Sequence, residues 1–453
     1  MSNLFGTMST SVQSLLAHQA ALEITSDNIA NVNTPGYCRR RAVLEEDTTT
    51  LSGGSSQGGG VHFKGVQSLR DQVLDLRIGQ ETQEHSALDA FVNAMSPVES
   101  EFTDLENGIG ARIDKFFSSL AAMETDPTNI PKRQNVLIAA GNLTNSFQST
   151  AQNLKSIQLN LDTSIDQHLA SVNQLTAQIA ALNVQVAKEK LEGEAGAAQD
   201  QQTELTRQLC EQIDVSVIQS DDGLTLTTKS GALLVAGSKS FDLSSYPSSS
   251  GLREIVANGK DITADISGGA IGGLLEARDQ AIPSILGELN QLASGLATAV
   301  NDSNRKGFDL AGNPGANIFA ISTPLDAAAS ITVAMSDPRG IALSSDGSEG
   351  DNGNLGNFEA IRHGNTISGY APVDFYSSSV ARVGNTVATA QSNADASDMA
   401  LRQLQNQRGA ISGVSLDEEA ANMIRLQRAF EASARVFTVV DEMLQTVLAM
   451  GQQ

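Results

Sequence analysis

The 453-residue sequence has no tryptophan, four tyrosines, two cysteines and ten prolines, and it sets only 29 Lys and Arg against 52 Asp and Glu. Each shortage excludes something. Two cysteines, Cys38 and Cys210, are too few for a disulfide framework or for a zinc site with paired ligand spacings. They fall in segments that read as different units, so they are expected to stay unpaired. A net charge of −23 repels phosphate, which speaks against a sequence-independent grip on DNA or RNA. No apolar run approaches the ~20 residues that span a membrane. The stretch from Met1 to Ile24 has no Lys or Arg and alternates apolar with polar residues, unlike a cleaved secretory signal. Taken alone, such a start reads as cytoplasmic.

Reactive motifs are missing too. The five histidines, His18, His62, His85, His168 and His363, are scattered, with no HExxH or other i, i+4 metal pair. There is no GxxxxGK[ST] phosphate loop and no GxSxG nucleophile elbow. The acidic stretch Asp346 to Asn354 looks like a calcium loop, but its sixth position is Asp351 rather than Gly and its twelfth is Asn357 rather than Glu; it reads as a solvated turn. Cys38 sits beside Arg39, Arg40 and Arg41 without a nearby His to act as base, and reads as a bystander thiol. No catalytic, cofactor-binding or metal-binding residues are therefore assigned.

What the sequence has is helical periodicity at both ends. Phe5, Met8, Val12, Leu15, Leu22 and Ile29 fall on one stripe of 3/4 spacing, interrupted at Gln19 and Ser26. Leu416, Met423, Phe430, Phe437 and Leu444 recur every seventh residue, joined by Leu426, Val440 and Val447. An apolar repeat of seven is a coiled-coil seam, and these residues are the predicted assembly seam. Loop residues fence both ends from the interior: Thr34-Pro35-Gly36 and the Gly53–Gly60 run on one side, Gly409 to Gly413 on the other. Further helices are predicted over 81–106, 112–123, 199–212, 277–301 and 373–407. The stretch 135–190 exceeds an ordinary helix and is expected to be two helices or one with a break.

The middle changes character. Val215, Val217, Leu224, Leu226, Leu233 and Val235 lie in short β-patterned runs separated by Asp221-Asp222-Gly223 and Lys229-Ser230-Gly231, a hairpin signal. The fold class is therefore mainly α with a small β insert, in roughly three units as the length suggests. Residues 1–50 plus 408–453 form a terminal coiled-coil domain, and 51–212 plus 277–407 a helix-rich core with some β. Residues 213–276 form an inserted β-rich outer domain, and 307–370 a Gly/Asn/Asp-rich connector with short strands.

The segment Ser26-Asp-Asn-Ile-Ala-Asn-Val-Asn-Thr-Pro-Gly-Tyr-Cys-Arg39 resembles the N-terminal signature of the bacterial flagellar axial proteins, the family of rod, hook and hook-associated proteins. Asn28, Asn31, Thr34, Pro35, Gly36 and Tyr37 carry it: the asparagines can bond exposed backbone, and Pro35-Gly36 forces a turn. Ser415-Leu416-Asp417-Glu418-Glu419, Asn422-Met423-Ile424 and Gln427-Arg428-Ala429-Phe430 narrow the likeness to the hook-associated branch. Ser415 also reads as a helix cap, with three acids near the positive helix end. Ile271 to Asp279, Gly307 to Asp309 and Gly350 to Asn354 fit the middle of that branch, although its better-known members carry a further outer β-domain after Phe319-Ala-Ile321. The resemblance implies a non-enzymatic structural protein of the hook–filament junction, self-assembling into a ring with the terminal helices as inner wall. Its implied partners are hook protein, the second junction protein, the flagellar export apparatus and an export chaperone, with no nucleic acid, cofactor or membrane insertion. It also implies export without a cleaved signal, which displaces the cytoplasmic reading. A hook or distal rod subunit is the alternative within the family, though the long helical stretch speaks against it. A secreted coiled-coil-stalk protein with an enzymatic insert is the alternative outside it.

Overall fold

The computed structural model describes residues 2–47, 50–52, 55–57, 60–103, 108–192, 196–220, 223–249 and 251–450. Gly53, Gly54, Gly58 and Gly59 of the predicted glycine fence, Glu106 of a predicted helix, and Asp221 and Asp222 of the predicted hairpin lie outside them. The chain begins with helix α1 (Ser2–Ala30), then an antiparallel ribbon of β1 (Arg40–Glu46) and β4 (Val61–Ser68), with β2 (Thr50–Ser52) and β3 (Ser55–Gln57) pairing at its far end. Helix α2 (Gln72–Glu101) starts at Asp71, whose carboxylate accepts from the amides of Val73 and Leu74, an N-cap that satisfies otherwise orphaned donors. Then come α3 (Ile109–Ala121), α4 (Ile130–Glu192) and α5 (Ala197–Gln212).

Residues 130–192 are one unbroken 63-residue helix, where two helices or a break were expected. Pro131 lies at its start, where a missing N–H costs nothing, and Gly141 is the one glycine over 135–190, a stretch without proline. Successive partners cover α4 along its length, so tertiary packing sustains what propensity alone does not.

Strands β5 (Ser216–Ser220), β6 (Gly223–Thr227), β7 (Leu233–Ala236) and β8 (Lys239–Ser240) make one antiparallel sheet in that order. A second sheet holds β9 (Leu243–Pro247), β10 (Arg253–Ala257) and β11 (Lys260–Asp261). Both lie along α4. Asn183 exchanges hydrogen bonds with the backbone of Leu224 and donates to Gly237, Asn173 does the same with Leu243, and Asp162 accepts from the amide of Arg253. Buried Leu226, Val235, Leu243 and Ile255 join the core that the helices share.

The β pattern stops earlier than its expected end at 276. Residues 269–276 form α6 (Gly269–Glu276), followed by a π-helical turn at Ala277–Ala281 and α7 (Ile282–Lys306). Helix α6 crosses α2 so closely that a Cβ at Gly273 would stand 2.0 Å from the carbonyl oxygen of Ala87. Inside the π turn, buried Arg278 grips both oxygens of Asp279 and donates to Asp162, which ties α4 to the β unit.

The stretch 307–370 is more than a connector. Its β12 (Phe319–Ile321), α8 (Ala327–Ser330), β13 (Ile331–Val333) and α9 (Leu355–His363) bury Phe319, Ile331 and Phe358 in the same core. The acidic turn within it is knitted by its own polar groups: Asp351 accepts from the amide and hydroxyl of Ser345, which holds its carboxyl down at about 2. Helix α10 (Pro372–Ser412) returns along α2, running through Gly409 and breaking only at Gly413, so the predicted C-terminal fence is a single residue. Helix α11 (Leu416–Met450) packs on α1.

Two substitutions test the crossing of α6 and α2. Gly273→Ala is expected to cost at least about 1–3 kcal/mol through forced overpacking. Gly287→Ala, mid-helix in open space, is expected to be neutral or to stabilise by about 0.5–1 kcal/mol. Urea unfolding of both variants measures the difference; equal stabilities would contradict the packing.

Candidate functional site

Three stretches of chain meet where α1, α11 and the β1–β4 ribbon join the rest of the molecule, near residues 38–40, 69–71 and 412–415. Hydrogen bonds tie the three passages together. The amide of Arg39 donates to the carbonyl of Ser412 at 2.8 Å, the amide of Leu69 to the carbonyl of Arg39 at 2.9 Å, and the hydroxyl of Ser412 to the carbonyl of Leu69 at 2.6 Å.

Two buried side chains, Asn28 and Glu419, lock this joint. Asn28, 1% exposed, donates to the carbonyl of Arg40 at 2.9 Å and to Glu419 Oε2 at 3.2 Å. Its Oδ1 accepts from the Arg40 amide at 3.0 Å and from the Tyr37 hydroxyl at 2.8 Å, so the amide has no capacity left over. Glu419, 2% exposed, takes the Arg39 guanidinium at 2.7 Å, and Glu418 takes its other arm at 2.8 Å. Burial, partly offset by Arg40, pushes the Tyr37 hydroxyl up to about 12, so it remains a donor at neutral pH. Arg40 lies over the Tyr37 ring at 4.9 Å, within cation–π range.

The same turn is bound to the core by a second charged chain. Arg40 pairs with Asp200 at the start of α5, at 2.9 Å. Arg70 meets the other oxygen of Asp200 and the Gln199 carbonyl. Asp75 of α2 stands between Arg70 and Arg408, 3.2 Å from the latter, and burial outweighs both cations to raise its carboxyl above the usual range. Arg408 also donates to the carbonyl of Gly36, and both Arg70 and Arg408 reach the Cys38 sulfur at 3.8 Å. Gly36 has φ +80°, a conformation that side chains resist, and a Cβ there would press on Glu204 at 3.1 Å.

The predicted signature turn thus divides. Asn28, Gly36 and Tyr37 meet in the joint, whereas Asn31 and Thr34 make local bonds: Asn31 donates to Asp27, and Thr34 to Asn31. Pro35 lies in the turn between α1 and β1. Arg39, Arg70, Asp200, Arg408 and Glu419 were missed as a group, being far apart in sequence. The run Arg39-Arg40-Arg41 facing a deficit of basic residues elsewhere was the available signal. Ser415 does cap α11, accepting from the amide of Glu418 at 3.5 Å.

The predicted seam also divides. On α11 the residues turned toward α1 repeat as Glu419, Met423, Leu426, Phe430, Ser433, Phe437, Val440 and Leu444, with Val440 and Leu444 buried. Leu416 and Val447 lie outside this seam and are exposed. On α1 the covered face is instead Ser11, Ala17, Ala21, Ile24, Thr25 and Asn28. Phe5 is 57% exposed and Val12 39%, while Met8, Leu15, Leu22 and Ile29 are half-buried along one margin. Helix α1 is covered from two sides, by α11 and by the β1–β4 ribbon, whose Gly60 lies against Thr10 and Gln13.

A cleft of about 390 Å³ borders the joint between α2, α5 and β5, lined largely by polar side chains such as Gln80, Gln83, Gln202 and Thr206. Beside it, Cys210 is buried and pushed up to about 11 by desolvation. Both cysteines are free thiols in the folded chain. Among the described residues no three His, Cys, Asp or Glu gather to hold a metal, and no helix is long and apolar enough to cross a membrane.

Three family models match: the flagellar hook-associated protein FlgK helical domain over 95–319, the flagellar basal body rod FlgEFG protein C-terminal region over 407–450, and the flagella basal body rod protein model over 8–37. Flagellar hook-associated protein 1 of Escherichia coli is 25% identical over 542 aligned residues, covering 97% of this chain and 99% of that protein. Its counterpart from Bacillus subtilis is 27% identical, covering 99% and 98%. The structure of the flagellar hook junction protein FlgK from Burkholderia pseudomallei superimposes with a TM-score of 0.67 at 15% identity, covering 74% of this chain and all of that one, a likeness of fold.

Two measurements test the joint. Glu419→Ala leaves Arg39 and Asn28 without their shared partner, and losing one side of a buried pair typically costs ~3–5 kcal/mol. Limited proteolysis of this variant is expected to release the terminal helices while the core keeps its melting temperature; an unchanged cleavage pattern would contradict the lock. Because burial holds Cys210 protonated at pH 8 and encloses Cys38, neither thiol should react with iodoacetamide before the chain unfolds.

Proposed function

The chain belongs to the flagellar hook-associated protein 1 family, and on that premise we propose that it is a structural subunit of the bacterial flagellum, forming the junction ring between hook and filament on which the filament grows. The observation that carries this reading is the joint. A buried, hydrogen-bonded connection joins a long two-helix arm to the helical body, as a subunit needs when it passes a defined geometry from one lattice to the next. In this reading the α1–α11 pair forms the inner wall of the ring, the helix-rich core surrounds it, and the β-rich stretch along α4 lies outermost. The division into units 1–50 plus 408–453, 51–212 plus 277–407, and 213–276 is part of the same proposal.

The partners follow. Copies of the chain contact one another, hook protein lies below and the second junction protein above. The chain reaches that place through the flagellar export apparatus, with an export chaperone and without a cleaved signal. Its work is mechanical rather than enzymatic. The helical body favours this over a hook or distal rod subunit, whose interior is expected to be largely β.

Immunogold labelling of isolated flagella tests the placement: label confined to the distal end of the hook is expected, and label along the whole hook would make the chain a hook subunit. Phe430→Asp, which puts a carboxylate into the α1–α11 seam, is expected to abolish incorporation, since even Phe→Ala costs ~3–5 kcal/mol and an unpaired buried charge more. Glu431→Gln, on the exposed side, should be tolerated. Equal filament assembly by both variants in a strain lacking the chain would refute the seam.

A further inference from the structure

The α1–α11 pair leaves one face of each helix uncovered, and the two uncovered faces differ in charge. On α11, away from the seam, Arg425, Arg428 and Arg435 follow one another at spacings of three and seven residues and are all exposed. Val439 and Met443 continue the same row toward the far end, at 48% and 53% exposure. Among the described residues none of these arginines meets a carboxylate within 4 Å; Arg425 bonds Asn422, and the acids Glu431 and Glu442 flank the row. On α1, away from its covered face, Phe5, Val12 and Leu16 are exposed and continue into Glu23 and Asp27. These spacings keep one face of a helix in view. Helix α1 contains no Lys or Arg, and neither acid meets a cation among the described residues.

The heights of Glu23 and Arg425 match, and their charges are opposite. The Asn28–Glu419 hydrogen bond sets the two helices level at the joint. From it, at 1.5 Å per residue, Glu23 lies roughly 7.5 Å along α1 and Arg425 roughly 9 Å along α11. Each outer face is therefore charged near the joint and apolar toward the tip, acidic on α1 and basic on α11.

We propose that the exposed α11 face of one copy docks on the exposed α1 face of a second copy, with Arg425 and Arg428 against Glu23 and Asp27, and Val439 and Met443 against Phe5 and Val12. This rests on the reading of the chain as a ring subunit. The contact is head-to-tail: each copy offers α1 to one neighbour and α11 to the other, which generates a ring or helical array rather than a dimer. The charged half sets register and direction, because a slip would leave charges facing apolar residues and an α1-to-α1 or α11-to-α11 contact would bring like charges together. The apolar half supplies burial.

Charge reversal between two co-expressed chains tests this. In a strain lacking the chain, Glu23→Arg with Asp27→Arg, and separately Arg425→Glu with Arg428→Glu, are each expected to be exported yet to lose retained filament, shedding flagellin into the medium. Co-expressing the two variants should restore retention, since each offers the other the opposite charge, and one chain carrying all four changes should do the same. Retention by either variant alone, or shedding by the co-expressed pair, would overturn the docking. Failure of the unaltered chain to retain flagellin would overturn the junction reading, and this contact with it.

Discussion

A single buried carboxylate, Glu419, holds together parts of the chain that lie almost 400 residues apart in sequence. It closes the circuit from the end of α1 through Asn28, through Arg39 at the entry to the first ribbon, to the first turn of α11. An ionised side chain that is 2% exposed persists only when nearly all its hydrogen-bonding capacity is met. The demand works in both directions. If the arm swung away from the body, Glu419, Asn28 and Arg39 would all lose partners at once, so a departure large enough to break one of these bonds is opposed by all of them. The second circuit, Arg40–Asp200–Arg70–Asp75–Arg408, extends this resistance into α2, α5 and α10.

The body gives the joint something stiff to act against. Helix α4 is an unbroken rod, and the other elements are clamped along it by polar contacts as well as by apolar burial: Asn173, Asn183 and Asp162 each fix a strand. Where α6 meets α2 there is no side chain at all between the backbones, because Gly273 brings them into contact. Such close approaches transmit load with little compliance, since packed interiors are nearly incompressible. The rigid arm and rigid body meet at one bonded corner, which suits a subunit that fixes geometry rather than catalyses a reaction.

Much of this was legible in the sequence. From Met423 to Leu444 the seven-residue repeat lies on the less exposed face of α11, while Leu416 is exposed, and the turn residues Asn28, Gly36 and Tyr37 sit at the joint. What stayed hidden was long-range. Periodicity assigns an apolar stripe to a helix face but does not say how much of it a partner covers: Met8, Leu15, Leu22 and Ile29 are half-buried, whereas Phe5 and Val12 of the same stripe are exposed. Glu418 and Glu419 looked like helix-start acids, and only their meeting with Arg39 reveals the lock. Likewise, the glycines and polar residues of 307–370 suggested a connector, although its few apolar residues are buried in the main core.

The central claim is that Glu419 fixes the direction of the α1–α11 arm relative to the body. Spin labels placed at exposed positions 438 on α11 and 156 on α4, with the native thiols buried and unlabelled, report that direction as a distance distribution. A single narrow distribution is predicted for the unaltered chain and a broad one once Glu419 is replaced by Ala. The same width in both, whether narrow or broad, would contradict the account.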